Sequence, residues 1–232
     1  MHNNFYGDIL LTIDKKFVDD KLSLTANLGA SLVDDKNKAS GFEGHLATVA
    51  NKFSVYNISM THSQTKPYAD RWHDQNQAVY GTLQLGWNGM VYVDGTVRND
   101  WSSQLAFTPN QSVCYYSAGL SGVISSMADL SGAGISFLKV RGSYSTAGNP
   151  PQRFITGVNT PLTVGGNISS DTYAPAKNLK PELTKSYEAG LNVKFLEDMF
   201  DLDVTYYNAT TYNQLFQYDA APSTGYKQAY IN

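Results

Sequence analysis

The sequence is poor in cysteine and in long apolar runs. Cys114 is its single cysteine among 232 residues, which excludes an internal disulfide framework and a zinc site built from several thiolates. The longest apolar runs are four residues, such as 90–93, whereas a membrane-spanning helix needs about 20. The first residues lack the basic segment and apolar core of a secretory signal. A helical membrane protein is therefore excluded.

Charge is also scarce. Charged residues make up 16% of the chain, against about 25% in ordinary globular domains. The 17 basic and 20 acidic side chains nearly balance, so no basic surface for nucleic acid is expected. The 42% hydrophobic content excludes intrinsic disorder. Sixteen tyrosines and 19 glycines favour an all-β protein made of strands and turns.

The strongest pattern is an alternation of apolar and polar residues over long stretches. Between residues 22 and 32 the even positions are apolar and the odd positions are small or polar. The same alternation runs through 187–195 and 200–206. A period of two residues predicts β-strands with one apolar face, and it excludes an amphipathic helix.

About eight such stretches occur, most of them about 10 to 13 residues long, which exceeds the ~5–6 residues of an average soluble strand. Transmembrane β-strands need about 9–11 residues. Short turns are predicted near Asp19, Asn88, 126–134 and Asp198, and long polar loops at 35–75, 101–112 and 147–184. Short turns on one side and long loops on the other are typical of an outer-membrane β-barrel.

Alternation is also typical of a soluble β-sandwich, in which the apolar face packs on a second sheet. Strand length and loop asymmetry favour the barrel. In a barrel we expect one face to meet lipid and the other to line a wet lumen. The side chains expected to face lipid are Leu24, Leu28, Leu191, Val193, Leu202 and Val204. Those expected to face the lumen are Glu188, Asp201 and Asp203.

Four groups of residues, in this order, resemble the SusC/RagA family of TonB-dependent outer-membrane transporters. They are Val97-Arg98-Asn99-Asp100-Trp101-Ser102-Ser103; Phe137-Leu138-Lys139-Val140-Arg141-Gly142-Ser143-Tyr144 running to Gly148-Asn149; Leu179-Lys180-Pro181-Glu182 with Glu188-Ala189-Gly190-Leu191; and Asp203-Val204-Thr205-Tyr206-Tyr207-Asn208. The resemblance extends from about Phe5 to Asn232. It implies an antiparallel transmembrane β-barrel segment, about eight strands of a roughly 22-stranded barrel.

Members of this family also have an N-terminal plug domain and a C-terminal strand that ends in an aromatic residue. The sequence contains neither, so we expect residues 1–232 to be an internal part of the barrel domain. The resemblance implies import of oligosaccharides or peptides across the outer membrane of a Gram-negative bacterium. The implied partners are outer-membrane lipid, a SusD-like lipoprotein lid, and TonB through the N-terminal part. The alternative function is a soluble β-sandwich that binds carbohydrate.

Signals for catalysis are lacking. The four histidines, His2, His45, His62 and His73, have no paired metal-ligand spacing, and Cys114 has no adjacent base. We therefore expect no enzyme activity, no metal and no cofactor.

Tyr68, Arg71 and Trp72 lie close together in the longest predicted loop. Flat rings beside planar donors are typical of sugar and peptide recognition, so we expect these three residues to contact substrate or the lid protein. The alternative is that they pack the loop against its neighbours or belong to the aromatic girdle at the membrane interface.

Overall fold

The computed structural model describes residues 1–157 and 173–232. The predicted loop 147–184 therefore lies partly outside the described residues. Within them the chain folds mainly into strands joined by loops and short 3-10 turns, and no helix is long and apolar enough to cross a membrane. The strands are β1 His2–Phe17, β2 Leu22–Glu43, β3 Lys66–Trp87, β4 Val91–Ser102, β5 Ser112–Val123, β6 Ile135–Asn149, β7 Tyr173–Ala174, β8 Glu182–Phe195, β9 Phe200–Tyr212, β10 Phe216–Asp219 and β11 Gln228–Ile231.

Eight of these strands form one antiparallel sheet in the order β1-β2-β3-β4-β5-β6-β8-β9. The three short strands form a second, small sheet in the order β10-β11-β7. The prediction of about eight long antiparallel strands is confirmed. β1 and β9 are the two edges of the large sheet, so the sheet is an open segment of a barrel wall.

Short connections all lie at one end of the large sheet, at residues 18–21, 88–90, 124–134 and 196–199. The turn at Asn88 and Gly89 has φ values of 50° and 69°, with Met90 N–H donating to Trp87 C=O. This is the type I′ geometry that matches strand twist. At the opposite end, the connection 44–65 and the one between β6 and β8 are longer, whereas 103–111 is slightly shorter than 124–134.

The register places the apolar residues of neighbouring strands on one face. Leu28 of β2 stands opposite Leu11 of β1 and Gly81 of β3, and Leu191 of β8 stands opposite Val140 and Val204. These side chains remain exposed, with Leu28 at 58%. A β-sandwich would cover them with a second sheet, so among the described residues the structure favours the barrel wall.

The height of the apolar face fits a bilayer. On β2 it runs from Leu22 to Leu32, and the next residue on the same face is Asp34. Ten steps along a strand cover about 33 Å, which a tilt of about 40° reduces to about 25 Å, the height of the apolar band in outer-membrane barrels.

Aromatic side chains border this band at both ends. Those toward the short turns are Phe17, Trp87, Phe195 and Phe200. Those toward the long connections are Phe5, Trp101, Tyr116, Tyr144 and Tyr187, of which the last three form a row with ring centroids 5.8 and 4.8 Å apart. Two such rows are typical of the aromatic girdles at membrane interfaces.

Candidate functional site

The structure corrects the position of Tyr68, Arg71 and Trp72. They lie in β3 and not in a loop, because β2 and β3 stay paired as far as Glu43 opposite Lys66. Two polar contacts join the strands in this extension, His73–Asp34 at 2.8 Å and Asn37–Asp70 at 2.9 Å. Lys36 binds the same Asp34 from within β2, at 2.9 Å. Apolar alternation stops at Leu32, so no pattern in the sequence predicts that the two strands continue.

The three residues do not share a face. Side chains alternate along an unbroken strand, so Tyr68 and Trp72 lie on the polar face while Arg71 lies on the same face as the apolar band. The Tyr68 ring covers Gly41 directly across the hairpin, at 2.9 Å from the position that a Cβ would occupy. The structure thus brings Tyr68 and Trp72 to one side of the wall and separates Arg71 from them.

Trp72 is half-buried and has protein neighbours of its own. The Arg153 guanidinium carbon lies 3.7 Å from the centroid of the indole ring, which is cation–π geometry. The His2 ring meets the indole edge-on, with ring centroids 5.6 Å apart. Arg153 therefore covers one face of Trp72, and His2 is a second protein neighbour of the ring.

Asp74, two residues further along the same face, binds Arg153 as well. Its side chain is buried, and its Oδ2 accepts from Arg153 Nε and from Gln104 Nε2, the latter at 3.3 Å. Arg153 lies beyond the end of β6 and Gln104 beyond the end of β4. Asp74 therefore ties two long connections to β3. Sequence reasoning missed both Asp74 and Arg153, since they are 79 positions apart.

A small core lies at the same end of the sheet. Leu105, Ile155 and Leu179 are almost fully buried there. Asn110 Nδ2 donates to the Leu179 carbonyl at 3.0 Å, and Ala176 N–H donates to the Ile155 carbonyl at 2.8 Å. The described parts of these connections are thereby packed together, and they form a rim beside Trp72.

The small sheet joins this rim. Asn232 exchanges hydrogen bonds with the backbone of Lys180. The rings of Tyr173 and Tyr230 lie 5.3 Å apart. Burial raises the pKa of the Tyr230 phenol, because the charged phenolate is disfavoured away from water.

A second polar cluster lies lower on the polar face, in the middle of the wall. Arg141 binds Asp203 with two hydrogen bonds, of 2.9 and 3.1 Å, and lies 3.6 Å from Glu188. A groove of about 350 Å³ beside it is also lined by Asp94 and Lys139. Asp203 and Glu188 thus occupy the polar face, as the alternation predicted.

Among the described residues, no group of three or more His, Cys, Asp or Glu side chains could hold a metal ion. The rings of His45 and His62 lie 4.2 Å apart, and His45 Nε2 is within 2.7 Å of Gln64 Oε1. The arrangement offers stacking and charge recognition at the rim and a polar surface along the wall.

Together the apolar band, the girdles and the polar inner face define the wall of an outer-membrane-type β-barrel. Comparison with protein families gives the particular group, since residues 3–232 match the family described as "TonB dependent receptor-like, beta-barrel". The chain belongs to this family. The family is one of receptors, which agrees with the prediction that the chain is not an enzyme.

Solved structures agree with this assignment. The RagAB peptide importer in its open-open state superposes with a TM-score of 0.78 at 21% identity, over 100% of this chain and 26% of that chain. A further structure, of the RagAB peptide transporter, gives 0.74 at 21% identity, over 99% and 26%. The siderophore receptor PirA from Acinetobacter baumannii gives 0.57 at 16% identity, over 100% and 32%.

The predicted membership of a TonB-dependent outer-membrane family is confirmed by the family match, and the RagAB structures share the fold. This chain spans about a quarter of the length of the RagAB chains it matches. No curated protein matches the sequence.

Proposed function

We propose that residues 1–232 form part of the barrel wall of an outer-membrane transporter that imports oligosaccharides or peptides. The observation that carries the proposal is the wall itself, with an apolar band about 25 Å high on one face and a polar surface on the other. Family membership supports a role in transport. The RagAB neighbours are named as a peptide transporter and importer, which supports peptides as one of the two substrate classes.

In this proposal the rest of the transporter closes the barrel around the wall. Among the described residues, β1 and β9 each pair on one side only. An unpaired backbone edge in lipid is costly, so the proposal includes further strands beside both of them. A plug domain outside this chain would fill the lumen and contact TonB. The long connections would face the cell exterior, where a SusD-like lipoprotein would cover the rim.

Trp72 and Tyr68 are the substrate or lid contacts that we propose at the rim. Both lie on the polar face, and Tyr68 is 49% exposed. The indole face of Trp72 that is not covered by Arg153 is the surface proposed to stack on a sugar ring or a peptide side chain. Arg71 lies on the other face, which removes it from this contact.

The test measures uptake and binding by the full-length transporter. Labelled oligosaccharides and peptides are offered to cells that have or lack the gene, with and without a functional TonB, and we expect gene- and TonB-dependent uptake of one class. For that substrate, Trp72→Ala should weaken binding by about 1–3 kcal/mol, as loss of a stacking ring does. Arg71→Ala is the matched control and should leave affinity unchanged.

Uptake that does not depend on the gene or on TonB would contradict the proposed transport function. Equal affinity of the Trp72→Ala and unaltered proteins would contradict the contact alone, and it would assign Trp72 to packing of the rim. A heat-modifiability gel on both variants checks that the barrel is folded.

A further inference from the structure

Two cations stand directly opposite each other on the lipid side of the wall. Lys38 of β2 pairs with Arg71 of β3, and both are exposed on the face that carries the apolar band. Neither makes an ion pair with the described residues. Lys36 and His73, their neighbours toward the membrane, differ in this respect because Asp34 binds both.

Like charges directly across a β-ladder destabilise a sheet. The cost falls when an anion lies between them, and Arg and Lys are the side chains that bind phosphate. The described part of the chain supplies no such anion to Lys38 and Arg71, so an external group is expected to do so.

An apolar groove lies below this pair on the same face. It measures about 460 Å³, and its lining includes the large side chains Phe5, Ile9 and Trp101. Gly7 and Ala30 lie between these large side chains and are too small to fill the groove. Its lining residues come from β1, β2, β3 and β4, and they lie in the upper part of the apolar band.

The two features are close enough for one ligand. Phe5 stands opposite Asp34, so its ring marks the headgroup level, and Lys38 is four residues further along β2. Four residues cover about 13 Å, or about 10 Å in height at a tilt of about 40°. A Lys or Arg side chain is about 6 Å long and bends back toward the headgroups of the bilayer.

We propose that this surface is a binding site for a phosphorylated lipid. One acyl chain lies in the groove between Phe5, Ile9 and Trp101, and the headgroup phosphate binds Lys38 and Arg71. The site depends on the placement of the apolar band in the membrane, and it is independent of the transported substrate.

The test uses the full-length transporter in lipid nanodiscs with spin-labelled phosphatidylglycerol and spin-labelled phosphatidylcholine. The unaltered protein should immobilise the anionic phosphatidylglycerol in preference to phosphatidylcholine. Lys38→Gln with Arg71→Gln should reduce this preference by about fivefold for each cation removed. Lys52→Gln with Lys66→Gln is the matched control, since these cations lie away from the groove. This variant should leave the preference for the anionic lipid unchanged.

Two further measurements identify the ligand as a lipid. Ala30→Trp fills the groove while leaving both cations in place, and it should reduce immobilisation of both labelled lipids. An excess of inorganic phosphate should not displace the label. The proposal is overturned if the double cation variant keeps the full preference, if Ala30→Trp binds lipid normally, or if inorganic phosphate competes. Substrate uptake by the same variants should stay normal, which separates this test from that of transport.

Discussion

Replacing Leu28 with arginine is expected to destabilise the barrel by about 2–4 kcal/mol, the cost of a basic residue near the middle of the lipid face of a transmembrane barrel. Leu28 lies near the centre of the apolar stretch of β2 and is 58% exposed on that face. Its outward neighbours on the same strand are Ala26 and Ala30, which offer no polar partner. The measurement is the free energy of unfolding of the full-length protein in lipid.

Thr25→Arg is the matched control for this substitution. Thr25 lies on the same strand but on the polar face, opposite Asp14 and Gln84. An arginine there meets water and a carboxylate, so its cost should stay below about 1 kcal/mol. Equal costs for the two variants would contradict the assignment of the faces.

Arg153→Ala should destabilise the rim of long connections by about 2–3 kcal/mol. The substitution leaves the buried Asp74 carboxylate with Gln104 as its remaining partner among the described side chains, and it uncovers the Trp72 ring. Removing one partner of a buried ion pair typically costs 3–5 kcal/mol, and the partial exposure of Arg153 lowers that figure. Hydrogen exchange of residues 103–111 and 150–157 measures the effect.

The double variant Asp74→Ala with Arg153→Ala provides the control. Because this variant removes the unpaired Asp74 carboxylate, it should recover part of the lost protection from hydrogen exchange, as coupled partners do in a double-mutant cycle. Unchanged exchange in the Arg153→Ala protein would show that the rim does not depend on this ion pair.

The barrel wall could be predicted from sequence because the membrane imposes one rule on every strand. Each residue of 187–195 and 200–206 meets either lipid or water, so the alternation is clean and the register follows from it. A slip of one residue would place Asp203 in hydrocarbon. The hairpin turn at Asn88 can also be predicted, since Asn-Gly favours the positive φ values that the structure shows.

The rim could not be predicted in the same way. Above the membrane both faces of a strand meet water, so 33–43 and 66–76 lose their alternation although they remain paired. The contacts of Asp74 with Arg153 and Gln104 join positions that have no local pattern in common. Proximity in the sequence places Arg71 beside Trp72, but alternation along a strand puts adjacent residues on opposite faces.

Cysteine labelling at two adjacent positions of β9 tests most directly which face meets lipid. Leu202→Cys and Asp203→Cys are introduced into the full-length protein after the exposed native Cys114 has been replaced by serine. A membrane-impermeant, water-soluble maleimide should label Cys at 203 readily, since that face lines the aqueous lumen, and should label Cys at 202 poorly, since that face lies in lipid. Faster labelling at 202 than at 203 would contradict the account.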